Sequence, residues 1–364
     1  MVATNNKLIN IFYGGFLHMG GGAYTHAQLL ANALKELDYH VALYKLDDLP
    51  ILIKYLPHCL LRLFNFISPG YGFIVKGNAI RLLYNIFLRK PSFIDIYEDI
   101  YIAPKNQLNA ITVLHALWTD NLQSHDLNRD SVNKLLNAEY EKINTLRHPL
   151  VTVSSQYSYY LRNSHFSPRL IKALNVVELG IDLKEVQSYK TLKSIPNDFH
   201  SLCFCGSLEP RKNLPFLLEI LKLLVIKDPL FQLVIVGDGP LRDYLVTFSR
   251  AHHLPVTFTG KLNRTKMLET ISRQDIMVHT STKESFSLAL LEAKALGLYT
   301  IAHSSLEVPS KFVDIRMDDY NPSSWARRIT SFTPKQYPES DLSHYSSIRM
   351  AQETLQLLNG ALEL

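Results

Sequence analysis

Residues 202–226 read LCFCGSLEPRKNLPFLLEILKLLVI. The opening residues form a short apolar run, a glycine breaks it at 206, and from Leu214 apolar side chains recur at helical spacing. Asn213 and Pro215 predict a helix entry, a capping side chain followed by proline in the first turn. A strand, a glycine turn and a helix make half of a βαβ unit, and the pattern continues downstream. Phe231–Val236, Val256–Thr259, Ile276–His279 and Thr300–Ala302 read as strands. Pro240–His252, Arg264–Ser272 and Phe286–Leu296 read as helices, after Leu214–Ile226. Upstream, the strands are Leu8–Tyr13, His40–Tyr44, Ala110–His115, Leu150–Ser154 and Leu174–Leu179, with helices such as Tyr24–Leu37 and Ser131–Arg147. Such alternation predicts an α/β protein with parallel sheets covered by helices on both faces.

The chain has 364 residues, enough for two domains of this kind at roughly 150 residues each. The weakly periodic stretch Lys184–His200, with Pro196, Asn197 and Asp198, is the expected boundary. Phe332–Asp341, with Pro334 and Pro338, is a second break before a last helical pattern, Tyr345–Leu362. The expected layout is two Rossmann-like αβα domains, 1–185 and 198–335, facing each other across a cleft, with 342–364 crossing back to pack on the first. In such sheets ligands sit at the carboxyl ends of the strands, so residues directly after strands are the candidates for chemistry.

Composition narrows the classes. Apolar residues are 47% and charged residues 20%, ordinary globular material. The net charge is +5, spread over both halves, which argues against a nucleic-acid module. Three cysteines make no disulfide framework and no four-ligand zinc spacing, pointing to a reducing compartment. Met1–Asn10 lacks the apolar core of a signal peptide. Leu49–Phe73 is broken by Lys54, Pro57, Arg62 and Pro69, so no membrane-spanning helix is expected.

The strongest local signal is KESFSLALLEA, residues 283–293. Glu284 and Glu292 bracket a strand-to-helix turn whose small residues, Ser285 and Ser287, let a ligand approach backbone N–H groups that favour an anion. An ordinary capped helix with a solvated glutamate has the same pattern. Gly206-Ser207-Leu208-Glu209-Pro210-Arg211-Lys212 places two cations where a helix dipole disfavours them, by roughly 0.3–1 kcal/mol. A phosphate between them would reverse that, and two solvated surface cations are the plain alternative. Val236-Gly237-Asp238-Gly239-Pro240 is a further glycine turn. Cys203, Cys205, Trp118 and Trp325 read as packing residues, and His252-His253 as a helix-end charge. Gly20-Gly21-Gly22 does not fit the dinucleotide fingerprint, which disfavours a dehydrogenase.

In order and spacing these pieces resemble the retaining, nucleotide-sugar-dependent glycosyltransferases of family 4, which have the GT-B fold. Glu284 to Glu292 is similar to that family's E-x7-E element, Val236 to Pro240 to its glycine turn, and Phe204 to Lys212 to its diphosphate-binding turn. Gly20-Gly21-Gly22 opens a helix after the first strand, as in that family. Val113-Leu114-His115 ends a strand where the family has an active-site histidine. Val151–Ser155 and Gly180-Ile181-Asp182 complete the series. Ser207 stands where the family usually has arginine, Leu179 where it usually has asparagine, and Ser285 and Ser287 where it often has glycine; Arg211 is a substitute for the missing arginine.

The resemblance implies a carboxyl-terminal half that binds a UDP- or GDP-sugar and an amino-terminal half that binds the acceptor. Arg211 and Lys212 would neutralise the diphosphate, with the amides of Ser287 and Leu288 beside it. Glu284 would hold the donor sugar, Glu292 the ribose, and the base would lie at Gly260-Lys261-Leu262. Gly206, Ser207, Gly237 and Phe286 would complete the donor site, with Gly21, Gly22 and His115 approaching from the first domain. The expected reaction is metal-independent hexosyl transfer to a glycan or lipid-linked acceptor by front-face attack, in bacterial surface polysaccharide or glycolipid synthesis. No Asp-x-Asp motif and no cofactor is expected.

Between Asp48 and Asp95 there is no acidic residue, while Lys54, Arg62, Lys76, Arg81, Arg89 and Lys90 alternate with aromatic and aliphatic side chains. Residues 49–94 are therefore expected to meet an anionic membrane surface from the cytoplasmic side; core helices with solvated cations are the alternative reading. A catalytically weak or inactive shell that binds a partner is the second functional reading, resting on Ser207 and Leu179. A sugar-nucleotide epimerase of the same fold is disfavoured by the E-x7-E spacing.

Overall fold

The computed structural model describes residues 8–16, 21–67, 71–117, 129–163, 174–190, 200–332 and 341–362. The chain divides into two compact units: Met1–Gly180 with Tyr345–Leu364, and Ile181–His344.

In the first unit, β1 (Leu8–Phe12) leads to α1 (Gly22–Glu36) and β2 (His40–Tyr44). Then α2 (Leu56–Ile67) and α3 (Tyr71–Phe87) precede β3 (Ile94–Tyr97) and β4 (Ala110–Leu114). α4 (Arg129–Asn144), β5 (Leu150–Thr152), α5 (Ser155–Asn163) and β6 (Leu174–Val176) follow. All neighbouring strands are parallel, in the order β2-β1-β3-β4-β5-β6. The order reverses between β1 and β3, so their carboxyl ends open a crevice there.

The second unit begins with α6 (Leu183–Ser188), whose cap is Asp182, accepting from the Glu185 amide. β7 (Ser201–Cys205), α7 (Leu214–Lys227), β8 (Gln232–Val236), α8 (Arg242–Ala251) and β9 (Val256–Gly260) form one half. α9 (Arg264–Ser272), β10 (Ile276–His279), α10 (Leu288–Ala295), β11 (Tyr299–His303), β12 (Ile315–Met317) and α11 (Pro322–Thr330) form the other. The sheet is parallel in the order β12-β11-β10-β7-β8-β9 and reverses between β7 and β10. Its core is the apolar side chains of β7, β8 and β10 interleaved with Leu217, Leu221 and Trp325. The last helix, α12 (Ser347–Leu362), packs on α1 in the first unit.

Three local expectations change. β3 is a strand that periodicity does not reveal, because Asp95 interrupts its apolar pattern. That carboxylate is buried yet satisfied by Asn10, Arg89, Ser92, Tyr97 and Gln107. Asn213 does not cap α7 with its side chain; it sits at φ 51°, ψ 42° as it also closes the turn Pro210–Lys212, a conformation asparagine tolerates better than most residues. α10 starts at Leu288 rather than Phe286, so Glu292 lies little more than one turn into the helix. Trp325 is core, its indole N–H donating to the Asp319 carbonyl at 2.7 Å. Trp118 and Gly20 lie outside the described residues.

The turns after β7, β8 and β9 are joined by backbone bonds: Gly206 N–H to Val236 O, Leu208 N–H to Asp238 O, and Gly237 N–H to Gly260 O, each 3.0 Å. Gly237 makes this possible. It has φ +135°, and a Cβ there would overlap the Gly206 carbonyl. Gly237→Ala should therefore cost about 2–4 kcal/mol through backbone strain and steric overlap, measured as a lower urea midpoint with the denaturant slope unchanged.

Candidate active site

The E-x7-E glutamates act through different partners. β7 ends at Cys205, and the turn Pro210–Lys212 folds the chain back toward the end of β10. There Thr280 Oγ1 donates to the Lys212 carbonyl at 2.9 Å and the Thr282 N–H to the Arg211 carbonyl at 2.9 Å. The two basic residues are thus clamped by the segment after β10, at the point where the sheet order reverses. Lys212 Nζ is hydrogen-bonded to Glu284 Oε1. His279 Nε2 lies 3.1 Å from the same oxygen and Arg211 Nη1 3.6 Å. Lys212 and His279 are buried. Burial pushes the Glu284 carboxyl up, but Lys212, His279 and Arg211 outweigh it and hold it well below the usual carboxylate range. Since an ionised carboxylate accepts only, His279 donates from Nε2.

The basic turn that ran against a helix dipole thus meets a carboxylate. Arg211 also pairs with Glu209 at 3.1 Å, so the residue four positions after Ser207 reaches the same cluster from the side. Beside it, Ser287 starts α10 in the left-handed region at φ 70°, its hydroxyl accepting from the Leu290 N–H at 3.4 Å. The first-turn amides of α10 have no intrahelical acceptor and point out of the helix end. Phe286 departs from its expected place: its ring is buried against Phe312, centroids 5.1 Å apart, so its side chain is core.

Glu292 is buried and bound to Arg264 Nη1 at 2.7 Å, while Arg264 Nε holds Glu185 Oε2 at 2.6 Å. Burial raises the Glu292 carboxyl, and Arg264 works against that. Arg264 was not among the sequence candidates. It opens α9 directly after the Asn263 cap, and a cation at a helix start is the same signal that singled out Arg211 and Lys212. Gly260 has φ +70° at the end of β9, followed by half-buried Leu262. Cys205 is an inert thiol, pushed up to about 12 by burial and by Glu292.

The first unit has its own cluster. Gly21 caps α1 at φ +103°, and a Cβ on Gly21 or Gly22 would meet no atom within 4 Å. His115 follows β4, and its Nε2 lies 2.7 Å from Glu98 Oε2; His26 Nδ1 of α1 lies 2.7 Å from that same oxygen. Glu98 is fully buried and stands after the strand that the sequence pattern hid. The ligating atoms of His26, Glu98 and His115 all lie within 4.8 Å of one another, a donor set that divalent transition metals also use. Burial raises the Glu98 carboxyl, but the two histidines hold it down at about 2. Burial lowers the His115 imidazole against the pull of Glu98.

The neighbouring surface is apolar. Leu52 and Phe66 are each 92% exposed, and Ile51, Leu63, Leu82 and Ile86 are more than half exposed around α2 and α3. The six cations of this stretch divide. Arg89 binds Asp95 at 2.6 Å, Arg81 donates to the Ala103 carbonyl, and burial lowers Lys76. Arg62 and Lys90 are exposed and Lys54 is half-buried.

Residues 188–346 match the family described as glycosyl transferases group 1. Among curated proteins, the chain is 30% identical over 92 residues to sulfoquinovosyl transferase SQD2 of Arabidopsis thaliana, covering 25% of this chain and 18% of that protein. It is 38% identical over 100 residues to the GDP-mannose-dependent alpha-mannosyltransferase of Mycolicibacterium smegmatis, covering 27% and 24%. The matched segments thus span about a quarter or less of these relatives. Among solved structures, Anabaena Alr3699/HepE in complex with UDP-glucose superposes with TM-score 0.60 at 12% identity, covering 97% of this chain and 99% of that one. At that identity the likeness speaks for the fold, which is GT-B, with two Rossmann-like units.

Two outcomes follow for stability. Ser287→Gly relieves a left-handed residue and loses only a weak cap, so it should stabilise the chain by about 0.5–1 kcal/mol, read as a higher urea midpoint. Glu98 has a folded pKa of about 2 against 4.5 unfolded, so its contribution is complete above pH 4.5 and fades as the pH falls toward 2. Urea titrations at pH 6 and pH 3 should show a loss on the order of 2 kcal/mol that Glu98→Gln lacks.

Proposed function

We propose that this chain, whose residues 188–346 match the group 1 glycosyl transferases, transfers a hexosyl residue from a UDP- or GDP-sugar with retention of configuration. The observation that carries the reading is the cluster of Lys212, Arg211, His279 and Glu284 beside the α10 amino terminus, at the reversal of a parallel sheet. An anion-binding helix start flanked by two cations suits a diphosphate. A carboxylate held ionised beside it suits the hydroxyls of the attached sugar.

Lys212 and Arg211 stabilise charge on the departing diphosphate, the amides of Ser287 and Leu288 donate to it, and Gly206, Ser207 and Gly237 let it approach the backbone. Glu292, held in place by Arg264, accepts from the ribose hydroxyls, and the base lies by Gly260 and Leu262. In the first unit, Gly21, Gly22 and His115 are the residues offered to the acceptor. With no second carboxylate assigned as nucleophile, the acceptor attacks from the face the diphosphate leaves, and a donor phosphate oxygen takes its proton. The same work that Mg²⁺ performs elsewhere falls here to Arg211, Lys212 and a helix dipole. The acceptor is a glycan or a lipid-linked saccharide of a bacterial surface pathway. The exposed apolar side chains of α2 and α3, with Arg62 and Lys90, rest on an anionic cytoplasmic membrane surface. Among the described residues no helix is long and apolar enough to cross a membrane.

Thermal-shift measurements with UDP, GDP and ADP test the donor reading. One of the first two should raise the melting temperature, and Lys212→Ala should remove that rise and lower kcat at least about 100-fold. No rise with any nucleotide would sink the proposal. Dialysis against chelator should leave transfer intact; a loss would point instead to a metal at His26, Glu98 and His115. Vesicles containing phosphatidylglycerol should carry the protein upward in flotation at low salt, and Phe66→Ser with Leu52→Ser should abolish this.

A further inference from the structure

Arg264 opens α9 with its guanidinium spread over two carboxylates of the second unit. Nε holds Glu185 Oε2 of α6 at 2.6 Å, and Nη1 holds Glu292 Oε1 of α10 at 2.7 Å. A guanidinium and a carboxylate frequently close on each other through two parallel bonds, and here they do not. Nη2 is buried with no hydrogen-bond partner, and Glu292 Oε2 makes no hydrogen bond among the described residues. One hydrogen-bond donor and one acceptor are thus left over on two groups that a single bond joins. The pair is not sealed off, since the Arg264 side chain keeps 29% of its surface and that of Glu292 6%.

An unpaired N–H withdrawn from water is a cost that the fold leaves standing, and an acceptor brought by a ligand removes it. The guanidinium only donates, Glu292 Oε2 accepts, and an alcohol does both. Two hydroxyls on adjacent carbons therefore match the leftover pair. We propose that Arg264 is the second half of a ribose site, its Nη2 donating to one hydroxyl of the ribose cis-diol while Glu292 Oε2 accepts from the other. This rests on the reading of Glu292 as the ribose residue and adds a selection rule to it: a ribonucleotide is told from its deoxy analogues by a donor as well as an acceptor. Glu185 braces the arrangement from α6, because a bond to Nε fixes the plane of a guanidinium whose N–H groups form a rigid fork. The charges agree with a neutral ligand. Two carboxylates around one cation do not attract a phosphate, so the diphosphate suits Arg211 and Lys212 and the diol suits Arg264.

The full chain is titrated with UDP and GDP, then with the 2′-deoxy and 3′-deoxy forms of the nucleotide that binds, and with inorganic pyrophosphate. The wild type should bind each deoxy form about 10–100-fold more weakly than the ribonucleotide. In Arg264→Met, which removes both the anchor of Glu292 and the second hydrogen-bond donor, both penalties should shrink to within about three-fold. Affinity of that variant for pyrophosphate should stay within about two-fold of the wild type. Arg264→Lys keeps a cation for Glu292 but has no second prong, so one deoxy penalty should persist and the other vanish, which also identifies the hydroxyl that Nη2 meets. Full penalties in Arg264→Met, or a wild type that binds ribo and deoxy forms alike, overturn the proposal and leave nucleotide binding standing. Loss of pyrophosphate binding in Arg264→Met marks a merely structural role and overturns it as well. If that variant does not fold, Arg264→Lys decides, and retention of both penalties there refutes the contact. A wild type that binds neither UDP nor GDP removes the nucleotide-sugar reading, and this proposal with it.

Discussion

A buried ammonium and a largely buried carboxylate neutralise each other at the point where the second sheet reverses its order. Lys212 follows β7 and Glu284 follows β10, strands that are far apart in sequence but adjacent in the sheet. Neither charge could be held there alone, because removing one partner of such a pair typically costs about 3–5 kcal/mol. The turn that carries Lys212, the threonines that clamp it and the left-handed Ser287 are all arranged around that pair. The pair needs a segment of irregular backbone after each strand, which is why helix α10 begins four residues beyond Glu284.

The same economy recurs in the first unit with other chemistry. The reversal there lies between β1 and β3, and the buried charge is a carboxylate held by two imidazoles. In both units a glutamate that burial alone would protonate is kept ionised by nitrogen donors reaching it from neighbouring elements. A further buried glutamate, Glu292, is bound by Arg264, yet burial outweighs that partner and leaves its carboxyl raised. Glu98 and Glu284 are therefore acceptors with a fixed set of nitrogen donors.

The acid-free stretch shows how a count of charges can mislead. Six cations in one segment suggest a uniformly basic surface, yet Arg89 is tied to Asp95 and Arg81 to a carbonyl. What stays at the surface is apolar, with Leu52 and Phe66 almost fully exposed and only part of the positive charge beside them.

Two periodicities along the chain, apolar runs and amphipathic stretches, were enough to establish parallel αβα units, most strand positions and the glycine turns after β7 and β8. These features are local: a strand, a turn and a helix each record their geometry in neighbouring residues. The E-x7-E spacing and the Arg211-Lys212 pair likewise marked two segments that the structure brings together. The tertiary structure decided which charges meet. β3 was hidden because its central Asp95 is polar, and its burial depends on local partners, Arg89, Ser92 and Tyr97, together with Asn10 and Gln107 from other parts of the chain. With that strand hidden, Glu98 could not be seen as the partner of His115. Arg264 escaped because the acceptors it serves, Glu185 and Glu292, lie far from it in sequence. Phe286 was misplaced because nothing around it in the chain announces Phe312. A pattern in one dimension records what a residue wants for its backbone, whereas the protonation and orientation of a buried side chain depend on partners that only folding supplies.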